Sequence, residues 1–298
     1  MADQSGAEVV ERPTWLRVAD FPLVALLIAA TLFIAAFAAS ILIGKYLLPP
    51  PDTTAGLLAN AAVGLILVAG IYKLAIARLG EHPRDDLRKD RASRDLALGL
   101  LAGFALFCLV VGTAAALDVY NIVGTGGTGQ LLRLLIVAGI APAVFEEIFF
   151  RGILFRWIED FGGSWAALIV TSALFGLAHI VNPGATWFSS FAVAMEAGLL
   201  LGGAYMLTRS LWMPIGLHAA WNFTQGFIFD VPVSGIDQQG LVQAKLSGPE
   251  LLSGGAFGLE ASVIAVVIAS AAGLLLVHRA ARIGRVEQPW WVRRRRLG

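Results

Sequence analysis

Long apolar runs, separated by short breaks rich in turn residues, recur along this chain. A bilayer core about 30 Å thick needs roughly 20 such residues per helix. Eight segments meet that demand, at about 22–44, 57–77, 95–117, 130–156, 164–181, 187–208, 211–229 and 257–278. Backbone groups in hydrocarbon have no water to bond, and no run shows the strict alternation of a barrel strand. The pattern therefore predicts an all-α polytopic membrane protein, a bundle of about eight transmembrane helices. The breaks carry turn chemistry: Pro49-Pro50-Pro51, Gly124-Thr125-Gly126-Gly127, Gly162-Gly163 and Asn182-Pro183-Gly184. Only 230–256 is long, and neither a separate soluble domain nor an internal repeat is visible. Acids and bases mix ahead of the first run (Asp3, Glu8, Glu11, Arg12, Arg17, Asp20), so Leu23–Gly44 reads as a retained span and not as a cleaved signal peptide.

Composition agrees. The 298 residues are 57% hydrophobic and 14% charged, against roughly 25% charged for a soluble domain. The single cysteine, Cys108, excludes an intrachain disulfide and reads as a small packing residue. The net charge of +1 hides a strong polarity. With the N-terminus inside, threading the spans leaves only Lys45, Arg133 and Lys245, of 22 Lys and Arg, on the far side. The positive-inside rule then predicts a multi-pass protein of the plasma (inner) membrane with both termini cytoplasmic. Trp290-Trp291 followed by Arg293 to Arg296 predicts a tail held at anionic lipid. Nothing else in the chain supports nucleic-acid binding by those arginines.

Polar residues inside the spans carry the candidate chemistry. An ionisable group there costs roughly 2.5–3.5 kcal/mol on insertion scales and is rarely idle. Glu147 and Arg151 stand four apart with the acid first, the favourable arrangement for an ion pair on one helix face. Glu146 points about 100° away, which leaves its carboxylate available for acid–base work. His218 and Asn222 are also four apart and offer two N–H donors suited to an oxyanion. His179 follows Phe175 by four residues, so ring and imidazole can pack together; the histidine can share activation of water or ligate a metal. At 1.5 Å per residue, Glu146, His179 and His218 lie about 16, 22 and 10 Å from the cytoplasmic ends of their spans. That depth permits one site in the cytoplasmic half to middle of the bilayer. Taken singly, each residue has a structural reading as an interhelical hydrogen-bonding partner. Their occurrence together in three spans is what points to an active site. Glu196 is a further intramembrane carboxylate placed to contribute to a cavity wall, and Gly198 and Gly202 have the spacing of close helix packing.

Three stretches resemble the motifs of the CPBP family, the intramembrane proteases related to the type II CAAX prenyl endopeptidase. EExxxR stands as Glu146-Glu147-Ile148-Phe149-Phe150-Arg151, FxxxH as Phe175 to His179, and HxxxN as His218 to Asn222. The resemblance covers about 141–224. It divides the chain into three N-terminal helices (1–120), a catalytic core (121–229), and an extracytoplasmic loop, last helix and basic cytoplasmic tail (230–298). It implies a conical intramembrane cavity open to the cytosol, with Glu146 and His179 activating water and His218 and Asn222 stabilising the oxyanion. Glu147, Arg151 and Phe175 would orient them. The chain has no HExxH pair, while Glu146, His179 and His218 leave a three-ligand zinc site open. The implied activity is an endopeptidase acting on a membrane-associated or lipid-anchored protein or peptide, by CAAX-type or bacteriocin-related processing. The rivals are a non-enzymatic scaffold or bacteriocin immunity protein using the same cavity, and a proton-coupled transporter relaying through Glu146 and His179.

Overall fold

Among the residues described by the computed structural model, 13–80 and 82–295, six helices are long and apolar enough to cross a membrane. They are α1 (Pro22–Leu47), α2 (Thr54–Arg78), α3 (Ala92–Ala116), α4 (Leu131–Val181), α5 (Trp187–Thr208) and, after a short helix α6 (Trp212–Phe223), α7 (Val263–Arg282). The count is lower than the eight expected for two physical reasons. The fourth and fifth apolar segments run together as α4, which kinks where Gly163 adopts φ 84° and ψ 168°. That left-handed region is open to glycine at little cost. The seventh segment folds as α6 plus one π turn, Thr224–Ile228, and is buried along most of its length rather than facing lipid.

A polytopic membrane protein explains the surface. Leu27, Ile34, Ile41 and Leu42 of α1, Leu101 of α3, Ile169 of α4 and Val267 and Leu275 of α7 are each more than half exposed. So much uncovered aliphatic surface is at home only in hydrocarbon. Inside, one core gathers Ala25, Ala29, Tyr72, Ile148 and Phe155, and another sets Phe107 of α3 edge-on to Trp221 of α6, ring centroids 5.1 Å apart. A Cβ on Gly198 would fall 2.4 Å from the Cβ of Ser172, so α5 and α4 touch almost backbone to backbone there, as the Gly198/Gly202 spacing predicts.

The two ends of the bundle differ. At one end, buried acids meet arginines. Arg84 Nε lies 2.9 Å from Asp86 Oδ1, Arg209 is paired with Glu159, and Arg156 donates to the carbonyls of Leu79 and Arg84. The C-terminal segment docks here. Glu287 and Ser164 exchange hydrogen bonds, Trp290 and Trp291 pack edge-on against Phe21 and Phe161, and Arg293 donates to Asp160 O at 2.8 Å. The aromatic rings of the tail thus make protein contacts, while Arg12 and Arg296 lie outside the described residues. At the opposite end, the all-helical expectation misses a two-stranded antiparallel ribbon, β1 (Tyr120–Thr125) and β2 (Val242–Leu246), with Tyr120 opposite Leu246 and a register shift between Ile122 and Gly124. Non-helical backbone leaving the membrane satisfies its polar groups by pairing.

Candidate active site

The helices that carry the polar residues depart from regular α geometry next to them. A π turn over Ile148–Phe155 follows Glu147 directly, another over Ala194–Gly198 contains Glu196, and a third begins at Thr224, two residues after Asn222. Such turns widen a helix locally and recur at functional sites. Here they fall on the spans that meet at the polar centre.

That centre is built on a buried ion pair. Arg151 Nη1 donates to Glu147 Oε1 at 2.9 Å, with both side chains essentially inaccessible. Arg151 Nη2 donates to Ala197 O at 3.1 Å, and the guanidinium lies 4.7 Å from the Phe175 ring centroid. One side chain therefore ties the first limb of α4 to its second limb and to α5. Glu147 Oε1 also meets His218 Nδ1 at 3.0 Å. An ionised carboxylate only accepts, so Nδ1 carries the proton and Nε2 is turned the other way. His218 Nε2 faces Glu146 Oε2 at 4.0 Å. That oxygen is buried and has no hydrogen-bond partner.

The two remaining motif residues are oriented by backbone. His179 Nδ1 is 2.7 Å from Phe175 O; a carbonyl accepts, which fixes the N–H on Nδ1 and leaves Nε2 free. The Phe175 ring sits 4.8 Å from the His179 ring and 6.2 Å from that of His218, bridging the two imidazoles. Asn222 Nδ2 donates one N–H to Ala138 O at 3.0 Å, so its amide is held in place with a second N–H to spare.

A cavity of about 40 Å³, counted as room for the centre of a water-sized sphere, is lined by Phe175, His179, His218, Asn222, Glu196 and Glu260 among its walls. Glu146 is not among the residues lining it; the Glu146 side chain adjoins His218, itself on the wall, and is one third exposed. The cavity also reaches Ser234 and Glu260, which belong to the loop region at the end carrying Lys45, Arg133 and Lys245, away from the arginine layer. Glu260 is the residue that sequence reasoning passed over. Its signal was available as a carboxylate inside a segment expected to span, and the structure starts α7 only at Val263, after a tight turn over Leu259–Ala261. Among the described residues no three His, Cys, Asp or Glu side chains gather closely enough to hold a metal ion, so Glu146, His179 and His218 do not fit a three-ligand zinc site in this arrangement.

Residues 128–224, which contain all three motifs, match the family model described as Rce1-like, type II CAAX prenyl endopeptidase. Over 154 residues the chain is 24% identical to the Bacillus subtilis (strain 168) protein named "Putative membrane peptidase YdiL". The match covers 47% of this chain and 60% of that protein, less than two thirds of its length. No solved structure matches significantly.

Proposed function

We propose, from the premise that residues 128–224 belong to the Rce1-like type II CAAX prenyl endopeptidase family, that this protein is a membrane peptidase whose hydrolytic centre is the Glu146–His218 gap. The single observation behind this reading is that gap. Glu146 Oε2 has no hydrogen-bond partner of its own and faces His218 Nε2 at 4.0 Å. The separation is too long for a direct hydrogen bond, yet one water oxygen could sit ~2.8 Å from both atoms. Glu146 takes a proton from that water as its oxygen attacks the scissile carbonyl carbon. The tetrahedral oxyanion accepts from the spare Asn222 N–H, and from His218 when both of its nitrogens are protonated. Glu146 then returns the proton to the departing amine as the C–N bond breaks. His179, which lines the cavity and whose Nδ1 is engaged by Phe175 O, is the second group able to orient the water through Nε2. Glu147, Arg151 and Phe175 hold the imidazoles in register. A substrate that is itself membrane-associated or lipid-anchored follows from walls drawn from helices α4, α5, α6 and α7.

The test is cleavage of membrane peptides by purified protein in liposomes. Glu146→Gln should lower the rate by ~10²–10⁴ with unfolding temperature unchanged, because the substitution is isosteric and the side chain is partly exposed. Cleavage within tenfold of wild type would refute the assignment. A protein acting by binding alone would instead keep its cellular effect in both Glu146→Gln and His179→Ala.

A further inference from the structure

Three of the six buried acids among the described residues are paired with arginines; Asp95, Glu196 and Glu260 are not. Glu147 is paired with Arg151, Glu159 with Arg209 and Asp86 with Arg84. Glu196 and Glu260, 3% and 4% exposed, have no ion-pair partner among the described residues, and the charged neighbour that Glu196 faces is Glu260 itself. Both carboxylates line the same cavity. Glu260 accepts from the Ser234 N–H, but Glu196 Oε2 is buried without any hydrogen bond. A buried carboxylate is normally either protonated or paired with a cation, and no lysine or arginine among the described residues is paired with these two.

We propose that Glu196 and Glu260 form an anionic receptor within the cavity for a lysine side chain of the peptide substrate. The proposal rests on the peptidase reading and narrows its substrate class. A lysine fits better than a bare ion, because no three ligating groups converge among the described residues. The two acids sit among apolar walls such as Leu200 and Trp221. Those walls can cover the methylene stem while the ammonium, with its three donors, reaches the carboxylates. An indole face adds attraction for the cation. Because His218 and Asn222 line the same chamber, a lysine anchored on the acids would place a neighbouring peptide bond beside them.

Two measurements separate this receptor from the peptidase reading. In the first, the full-length protein in zwitterionic lipid nanodiscs is heated with hexylammonium or with neutral hexanol. A ligand that binds only the folded state raises the unfolding temperature. Hexylammonium should raise it by several degrees more than hexanol in wild type and by no more than hexanol in the Glu196→Gln/Glu260→Gln double variant. Equal effects of the two probes on wild type, or an undiminished cation effect in the double variant, would overturn the receptor. In the second, paired peptides carry lysine or norleucine at successive positions around the cleaved bond. The lysine-to-norleucine ratio in kcat/KM should reach about tenfold or more at one position and fall towards one in each single Gln variant. The ratio is the readout, whatever happens to the absolute rate. Cation-specific stabilisation with no hydrolysis of any peptide sinks the peptidase and leaves the receptor. Hydrolysis with a ratio that both Gln substitutions leave unchanged does the reverse.

Discussion

Replacing Arg151 by methionine tests whether the ion pair is the keystone of the polar centre. Methionine keeps much of the stem volume but removes the bond to Glu147, the bond to Ala197 O and the contact over Phe175. Glu147, 0% exposed, is then left charged with His218 as its remaining partner. Breaking a buried pair from one side costs about 3–5 kcal/mol, because the stranded charge stays desolvated. Glu147→Gln should cost a comparable amount by stranding Arg151. The double variant Glu147→Gln/Arg151→Met strands no charge, so its loss should fall well below the sum of the singles. What remains is the unpaired Ala197 carbonyl, about 1–3 kcal/mol. The coupling energy is therefore ~2 kcal/mol or more. It can be read from reversible unfolding in mixed detergent micelles, followed by tryptophan fluorescence. Single losses below ~1 kcal/mol, or strict additivity in the double variant, would show that the pair behaves as a solvated surface bridge and would refute the reasoning.

Two further outcomes are expected. Burial raises the Glu260 carboxyl to about 7, so the folded state binds its proton more tightly than the unfolded chain does. The stability this contributes is complete below the unfolded value near 4.3 and is lost as pH rises through 7, in all ~3 kcal/mol. Unfolding midpoints measured between pH 4 and 8 should show that fall in wild type and a flatter profile in Glu260→Gln; parallel profiles would contradict it. Gly198→Ala should destabilise more than Gly202→Ala, by ~1–3 kcal/mol for the former. The new Cβ at 198 meets the Cβ of Ser172 at 2.4 Å, whereas at 202 it meets only the tip of Leu168, which can rotate away. Equal shifts in unfolding temperature would count against that packing argument.

The one-dimensional pattern carried the features that depend on neighbours along the chain. Apolar run length located every membrane helix, and i,i+4 spacing set Glu147 beside Arg151. The same local logic put the Phe175 ring against His179. Even the kink at Gly163 falls in the Gly162-Gly163 break that the turn residues marked. The ribbon of β1 and β2 was not legible, because its strands lie more than a hundred residues apart and each is too short to announce itself.

What only the tertiary structure decided is which side chain meets which. Spacing gave His218 and Asn222 a common face but not their partners, which are Glu147 Oε1 and Ala138 O, 71 and 84 residues away. Spacing alone paired Glu146 with no particular histidine, and the structure sets it 4.0 Å from His218. Glu260 enters the cavity from a turn outside any membrane helix. Periodicity fixes a residue's angle about its own helix axis, to within a rotamer. The rotation, tilt and depth of one helix against another come from the packing of all of them at once, and no local stretch of sequence contains that information.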